Sequence, residues 1–500
     1  MAQVTEVAKI RRNVLAEISR LTFAGTLQAN IDDIPQTVVT EDGIRYRCCV
    51  HKERAVLKER IKLALSQPLD IDMKTAARQA LNGEMVDSPI VNVMPEACDI
   101  CPIDKFIVTD ACRNCVAHNC INSCPKNAIM VVQNRAYIDK TKCVECGMCK
   151  RSCHYGAILE ISRPCERACD VQAIHAGTDR KAVINELKCV NCGACKIACP
   201  FGAISDRSMI VQVIQKMKAD KVVAMLAPAF IGQFGLKLKT GQVIEALKQL
   251  GFAEVYEASF GADIVVMEES NEFIATQNKR DFMTTSCCPA FADMVVKHLP
   301  DLAVNVSSTV SPMVATGKVI KQKHPEAIVV FIGPCIAKKG EGLRNKEYID
   351  YVLTLEEVAA MMVGKGINVA EVPECEYTSM GSHDGNVFAK AGGVMQAVLN
   401  TVAALNPEIA VEAQRAEGLE NCKISLLKIN SKKLAANFFE GMACSGGCVG
   451  GPATLTDLRV ATKLVENYAN TSLAKVSSEN EPAMLERNKG IDFHHHAVEE

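Results

Sequence analysis

Thr285-Ser286-Cys287-Cys288-Pro289 sets two adjacent thiols before a proline, and two later segments take up the same theme. They are Gly333-Pro334-Cys335-Ile336-Ala337-Lys338-Lys339-Gly340-Glu341 and Met442-Ala443-Cys444-Ser445-Gly446-Gly447-Cys448. Five thiols from three distant segments, flanked by small residues, Pro and a conspicuous Lys, suit a buried inorganic site. A zinc finger would draw its ligands in close pairs from one small module. Around these motifs Val222–Leu226 and Ala327–Ile332 read as strands, and Gly241–Leu250 and Leu355–Val363 as helices. That alternation predicts an α/β domain over residues 215–473, with parallel strands and the motifs at strand or loop ends.

Sixteen more cysteines lie between residues 98 and 199. Cys143-x2-Cys146-x2-Cys149-x3-Cys153 and Cys189-x2-Cys192-x2-Cys195-x3-Cys199-Pro200 have ferredoxin spacing. Cys112-x2-Cys115-x4-Cys120-x3-Cys124-Pro125 is a third run with a longer middle gap. In such runs three thiolates wrap one cubane and the fourth serves the other cluster of a pair. One cluster then takes Cys112, Cys115, Cys120 and Cys153, and its partner takes Cys143, Cys146, Cys149 and Cys124. This module resembles a two-cluster bacterial ferredoxin, with Ala128–Val132 and Ala157–Ile161 as strands. The Cys189 run lacks an intact partner. Cys98-x2-Cys101 and Cys165-x3-Cys169 supply its two halves if residues 112–155 are inserted within 98–200. The same crossing gives Cys98, Cys101, Cys165 and Cys199 to one cluster, and Cys189, Cys192, Cys195 and Cys169 to the other. All sixteen cysteines are used. The whole of 93–207 is therefore read as two nested α+β ferredoxin-like 2[4Fe-4S] modules.

Composition narrows the class. Five hundred residues exceed one core. A net charge of −2 and the absence of Trp give no case for nucleic acid. No stretch is apolar enough for a membrane span or a signal peptide, and no apolar run follows Arg11-Arg12. A cytoplasmic location is expected, where clustered thiols stay reduced and bind metal. Residues 1–92 read as a mostly helical segment, from Val4, Val7, Ile10, Val14, Ile18 and Leu21 at helical spacing, then Val56–Leu65 and Met73–Leu81. Cys48-Cys49 has no third and fourth ligand nearby and reads as free thiols in a partly buried segment, and Cys375 and Cys422, outside any motif, read as ordinary buried thiols. Residues 474–500, with Ser477-Ser478-Glu479-Asn480-Glu481 and His494-His495-His496, read as a polar, frayed tail.

The three C-terminal motifs resemble the segments that hold the H-cluster of [FeFe]-hydrogenases, over roughly residues 220–460, and the ferredoxin-like modules fit the same family. The resemblance implies a ferredoxin hydrogenase, an oxidoreductase of anaerobic hydrogen metabolism that reversibly reduces protons to H2. It would be a divergent, ferredoxin-linked monomer matured by dedicated proteins. Its cofactors would be four [4Fe-4S] clusters and an H-cluster, a [4Fe-4S] cubane joined to a diiron unit with CO, cyanide and azadithiolate. Cys288, Cys335, Cys444 and Cys448 would ligate the cubane, and Cys448 would bridge to the diiron unit. Cys287 would carry protons, through Glu269, Ser307 and Glu272. Lys338 would contact a cyanide, Glu341 could pair with Lys338, and Met442 belongs to the cofactor-binding set. Without the resemblance, Glu269 and Glu272 would read as a solvated helix face, and Lys339 as a surface lysine.

The sequence departs from the family at Gly333 (commonly Met or Phe), Ala337 (often Ser), Phe291 (usually Trp), Ala229 (commonly Ser) and the short Gly450-Gly451-Pro452. Other readings are an H2 sensor, a hydrogenase-like iron–sulfur assembly factor without the diiron unit, and a subunit of a flavin- or NAD-linked complex. Cys287 is retained and no signalling domain or dinucleotide fingerprint is seen.

Overall fold

The structure is a computed structural model that describes residues 4–101 and 105–495. The first helix, Glu6–Phe23, starts where Thr5 Oγ1 accepts the Ala8 N–H, and it buries Val14, Leu15, Ile18 and Leu21. That stripe does not make a separate unit of residues 1–92. It packs on the helix Leu355–Lys365, where a Cβ on Gly364 would stand 2.7 Å from the Ala16 carbonyl. Val14 and Ile18 join Leu226, Ile332 and Leu353 in one apolar core. Helices Val50–Ala64 and Met73–Leu81 close the same core, the second ending before Gly83 at φ +83°.

The cysteine-rich region is built on short antiparallel pairs. Ile129–Val132 pairs with Arg135–Ile138, and Ile174–Ala176 with Ala182–Ile184. Phe106–Val108 pairs with Ile158–Glu160 across the ends of the inserted stretch. Val91–Val93 pairs with Ile204–Asp206 around everything between. The stretch closed by the first of these two pairs lies within the stretch closed by the second. The backbone repeats itself before the second cysteine of each run: Asn114, Glu145 and Asn191 all take positive φ. Gly147 and Gly193 follow with φ +73° and +80°, opening the short helices Met148–Ser152 and Ala194–Ala198. Glycine enters this left-handed region without a Cβ penalty.

Two parallel sheets form the C-terminal domain. One has the order Glu254–Glu257, Val222–Leu226, Ile328–Gly333, Tyr351–Thr354; the other Met283–Thr284, Phe438–Met442, Ala413–Glu417. Val222–Leu226 is buried along its whole length, as in parallel strands covered on both faces. Cys287-Cys288, Cys335 and Cys444 all follow the carboxyl ends of strands, where α/β folds build sites.

The C-terminal segment is packed rather than frayed. Ser477–Glu479 forms a 3-10 turn and Glu481–Arg487 a helix, and Ala483 and Phe493 are buried. Asn480 donates to Asp263 Oδ2 at 2.6 Å, and Thr309 bridges to His494. Its polar residues cap and hydrogen-bond buried groups, which composition alone cannot distinguish from solvation. His496 lies outside the described residues.

Candidate active site

The carboxyl ends of both sheets enclose a cavity of about 80 Å3 with an almost wholly apolar wall. Cys287, Cys288, Cys335, Cys444 and Cys448 all line it, with Lys338 and Met442. Cys288 precedes the helix Pro289–His298, and Cys335 the helix Ala337–Arg344, so each thiol sits at a helix entrance. Burial pushes the Cys335 thiol up to about 11 and Cys448 to about 12, and Cys444 well up. Neighbouring thiols add to each shift. Such a quartet keeps its protons unless a cationic centre lies among the sulfurs, so this donor set fits an iron–sulfur cluster. Among the described residues no three His, Cys, Asp or Glu side chains converge on a single metal ion.

Glycines let three backbones meet here. At Gly447, φ +82°, a Cβ would strike Ala391 N at 2.5 Å, and at Gly451 the Pro334 carbonyl at 2.8 Å. Gly333 lies against Phe331, whose Cε1 would stand 2.7 Å from a Cβ there. Phe331 lines the cavity. Its ring occupies the space that a larger residue at 333 would need. Phe291 packs at 6.0 Å from the Phe439 ring, over the bare backbone of Gly441.

Glu269 and Glu272 both lie on the helix Ala258–Thr276, and neither is on a solvated face. Glu269 is wholly buried; the Glu272 side chain is 7% exposed. Glu269 Oε1 accepts from Ser286 N at 3.1 Å and from Ser286 Oγ at 3.3 Å, beside Cys287. Burial pushes Glu269 up to about 8, and the Glu272 charge adds to the shift. Ser307 is near enough to pull that value down, and its hydroxyl donates to Glu272 Oε2 at 2.8 Å. Glu272 also accepts from Ser308 N at 3.0 Å and pairs with Arg280 at 3.0 Å. The four relay residues of the resemblance thus run from the cavity wall toward a partly exposed arginine. Burial raises the Cys287 thiol well above its usual range, with Glu269 the next cause. Ser286, Ser308 and Arg280 complete this line. The motif holds Ser286 in plain sight, but no local signal marks Arg280.

Lys338 is buried, with Nζ 2.6 Å from Glu341 Oε2 and donating to the Cys287 carbonyl at 3.3 Å. Burial alone would lower its pKa; Glu341 reverses that and holds the ammonium charged. Lys339 is not a surface lysine. It is fully buried, 2.7 Å from Asp206 and 2.9 Å from Glu357. An i, i+1 pair on a helix faces different ways, and here both directions are interior.

Upstream, Cys112, Cys115, Cys120 and Cys153 line one small cavity; Cys124, Cys143, Cys146 and Cys149 line another. Cys165 and Cys101 each feel Cys199, and Cys101 feels Cys98. Cys192 feels Cys189 and Cys169, as does Cys195. Backbone N–H groups aim at the sulfurs: Ala173 N at Cys169 (3.1 Å), Ala203 N at Cys199 (3.3 Å), Ala182 N at Cys98 (3.3 Å) and Ala128 N at Cys124 (3.3 Å). Such donors stabilise cluster thiolates and tune their potentials. Cys192 also lines the main cavity and acts on Cys444. Cys48 and Cys49 have their sulfurs 3.8 Å apart. Cys422 and Cys375 bond backbone carbonyls.

This fold and site define an iron–sulfur protein with a hydrogenase-type cavity. The profile of the iron only hydrogenase large subunit, C-terminal domain, matches residues 220–452, and that of a 4Fe-4S binding domain matches 182–205. Iron hydrogenase 1 of Clostridium pasteurianum is 32% identical over 65% of this chain and 66% of its own length. The periplasmic [Fe] hydrogenase large subunit of Nitratidesulfovibrio vulgaris is 32% identical over 63% of this chain and 85% of its own. The human nuclear prelamin A recognition factor is 24% identical over 45% of this chain and 61% of its own. A solved structure from work on [FeFe]-hydrogenase oxygen inactivation overlays with a TM-score of 0.48 at 25% identity, covering 56% of this chain and 94% of that one. The chain belongs to the iron-only hydrogenase family. Among the described residues no helix is long and apolar enough to cross a membrane.

Proposed function

We propose that the chain is a hydrogenase that interconverts two protons and two electrons with H2. The observation that carries this reading is the place of the Cys287 thiol on the cavity wall, within reach of the Glu269 charge, with Ser307 bonded to Glu272 further along. In the proposal, Cys288, Cys335, Cys444 and Cys448 hold the cubane of an H-cluster. Its diiron unit would supply the redox chemistry on hydrogen. Lys338, charged and buried, orients an anionic group in the cavity by a charge-assisted hydrogen bond. Cys287 Sγ presents or accepts the proton. Glu269, with its pKa near neutrality, holds a proton at a carboxyl oxygen and can return it. The Ser307 hydroxyl and the Glu272 carboxylate pass it on beside Arg280. Electrons would arrive through the four thiol quartets, the one containing Cys192 being next to the cavity.

Ferredoxin or a similar carrier as donor, maturation proteins as partners and a cytoplasmic location belong to the same proposal. Anaerobic purification with infrared spectroscopy and an H2 assay tests it. CO and cyanide bands with H2 evolution from reduced ferredoxin are expected. Fully loaded cubanes without those bands or turnover would favour the non-catalytic reading instead, an iron–sulfur protein of hydrogenase fold. The sequence similarity to the nuclear prelamin A recognition factor keeps that alternative in view.

A further inference from the structure

A second cavity, of about 520 Å3, lies between the first helix, the Cys199-Pro200-Phe201 loop and Pro452–Thr456. Its lining is cationic. Arg11, Arg12, Arg47, Arg60 and Lys196 face it against three carboxylates, Glu6, Glu53 and Glu356. Most of these charges are already matched. Glu356 takes both Arg11 (2.7 and 2.9 Å) and Arg12 Nε (3.0 Å). Lys196 bonds Asp206 at 2.6 Å, and Arg47 bonds Asp99 and two backbone carbonyls. Glu53 accepts from Tyr46 N, and Glu6 from Lys9 and the Tyr46 hydroxyl.

Arg60 is the exception. It is 5% exposed, it donates from Nη2 to the Gly202 carbonyl at 2.7 Å, and its buried Nε and Nη1 have no partner. A buried guanidinium with two nitrogens unsatisfied is costly, and since Nε and Nη1 have no accessible surface a ligand reaches Arg60 through Nη2 or after the side chain turns. Arg12 also lines the cavity; its side chain is 32% exposed and its guanidinium bonds Glu356 through Nε. Tyr46 and Phe201 give the lining flat apolar faces. No part of the proposed hydrogen chemistry uses any of these groups.

We propose that this cavity binds a small ligand bearing phosphate or carboxylate groups, anchored inside by Arg60 and gripped by Arg12. Planar guanidinium forks match either oxyanion. Because Cys199 also lines the cavity, the ligand's charge would be felt by the quartet of Cys98, Cys101, Cys165 and Cys199. This does not rest on the hydrogenase reading.

Calorimetric titration of the full, cluster-loaded chain at low salt, with inorganic phosphate, pyrophosphate and citrate as separate probes, tests it. Saturable single-site binding of at least one probe is expected, about tenfold or more weaker in Arg60→Met and measurably weaker in Arg12→Gln. Binding of the phosphates alone marks a phosphate ligand, and binding of citrate alone a polycarboxylate. Arg60→Met replaces an unpaired buried cation with an apolar chain, so its melting temperature without probe should match or exceed that of wild type. If Arg60→Met does not fold, Arg12→Gln decides. Absence of binding by all three probes, or equal affinity in the variants, overturns the proposal.

Discussion

Lys339 Nζ stands 2.7 Å from Asp206 Oδ2, with both side chains buried. This contact ties the helix after Cys335 to the last strand of the ferredoxin-like region. Lys196, in the helix between Cys192 and Cys199, bonds the other Asp206 oxygen at 2.6 Å. The two lysines thus clamp a thiol loop of the ferredoxin-like region to the domain that holds the main cavity. Breaking one partner leaves an uncompensated buried charge, so Lys339→Met should cost about 3–5 kcal/mol. Denaturant titration of the reduced, cluster-loaded chain measures it, and a loss within experimental scatter would show that the clamp is dispensable.

The same network sets the acid limit of stability. Burial alone would raise Asp206 and Glu356, but Lys196 and Lys339 outweigh it at Asp206, and Arg11 and Lys196 at Glu356. Glu356 falls from its ordinary 4.5 to about 2. A carboxyl whose pKa is lower in the folded state stabilises above its unfolded value, and that stabilisation is lost as pH falls. Stability should therefore decline between pH 4.5 and about 2 for the Glu356 share. Glu356→Gln should flatten that decline in a pH series of melting temperatures, while lowering stability near neutrality.

Glu269 works with the opposite sign. Its folded pKa of about 8 lies above the ordinary 4.5, so the folded state holds a proton that the unfolded chain releases between those values. Folding stability falls as pH rises through that window. Glu269→Gln removes the penalty, and the variant should be the more stable of the two at pH 8. Its H2 turnover should fall about 100-fold or more, the scale of a positioned acid–base group. Unchanged infrared bands beside lost turnover would separate proton delivery from cofactor assembly. Cys287→Ser should behave alike in turnover. A variant of either residue with wild-type rates would sink the relay.

Local spacing made the thiols legible, because ligand runs are local in sequence, and two of the upstream quartets each line a cavity of their own. The α/β texture was legible for the same reason. The helix Ala258–Thr276 carried an unused signal: apart from Ser259 and Asp263 it is apolar from Ala258 to Met267, so the glutamate that soon follows, Glu269, stays in the interior. Lys339, Asp206 and Glu357 could not be read, since their pairing spans 133 residues in one direction and 18 in the other. Residues 474–495 misled because serines and asparagines that satisfy buried groups have the same composition as those in water. Asn480 bonding Asp263 is the instance that matters.

Gly333 gives a test of how the cavity wall compensates for its sequence. A methionine there would bring its Cβ within 2.7 Å of Phe331 Cε1 and 3.0 Å of Ala227 Cβ. Overpacking of this kind costs about 1–3 kcal/mol. Gly333→Met alone should destabilise, and Phe331→Ala alone should leave a void. The double variant should recover part of both losses, because the new side chain can fill the space that the ring vacates. A double-mutant cycle on melting temperatures reads the coupling. Strict additivity would mean that the two positions do not share that volume.

Gly193 gives the corresponding test of the electron path. It sits between Cys192 and Cys195 at φ +80°, and a Cβ there would lie 2.7 Å from Ile336 Cδ1 and 3.1 Å from Pro452 Cβ. Ile336 is fully buried and follows Cys335, so neither side can yield without moving a thiol-bearing loop. Gly193→Ala adds the left-handed penalty of about 1–2 kcal/mol to that collision. The loop should back away from the main cavity and slow electron delivery. H2 evolution from reduced ferredoxin should fall several-fold. Hydrogen–deuterium exchange catalysed at the cavity, which needs no net electrons, should persist. Equal loss of both activities would place the damage in the cavity itself, and loss of neither would show that the contact between Gly193 and Ile336 does not govern electron entry.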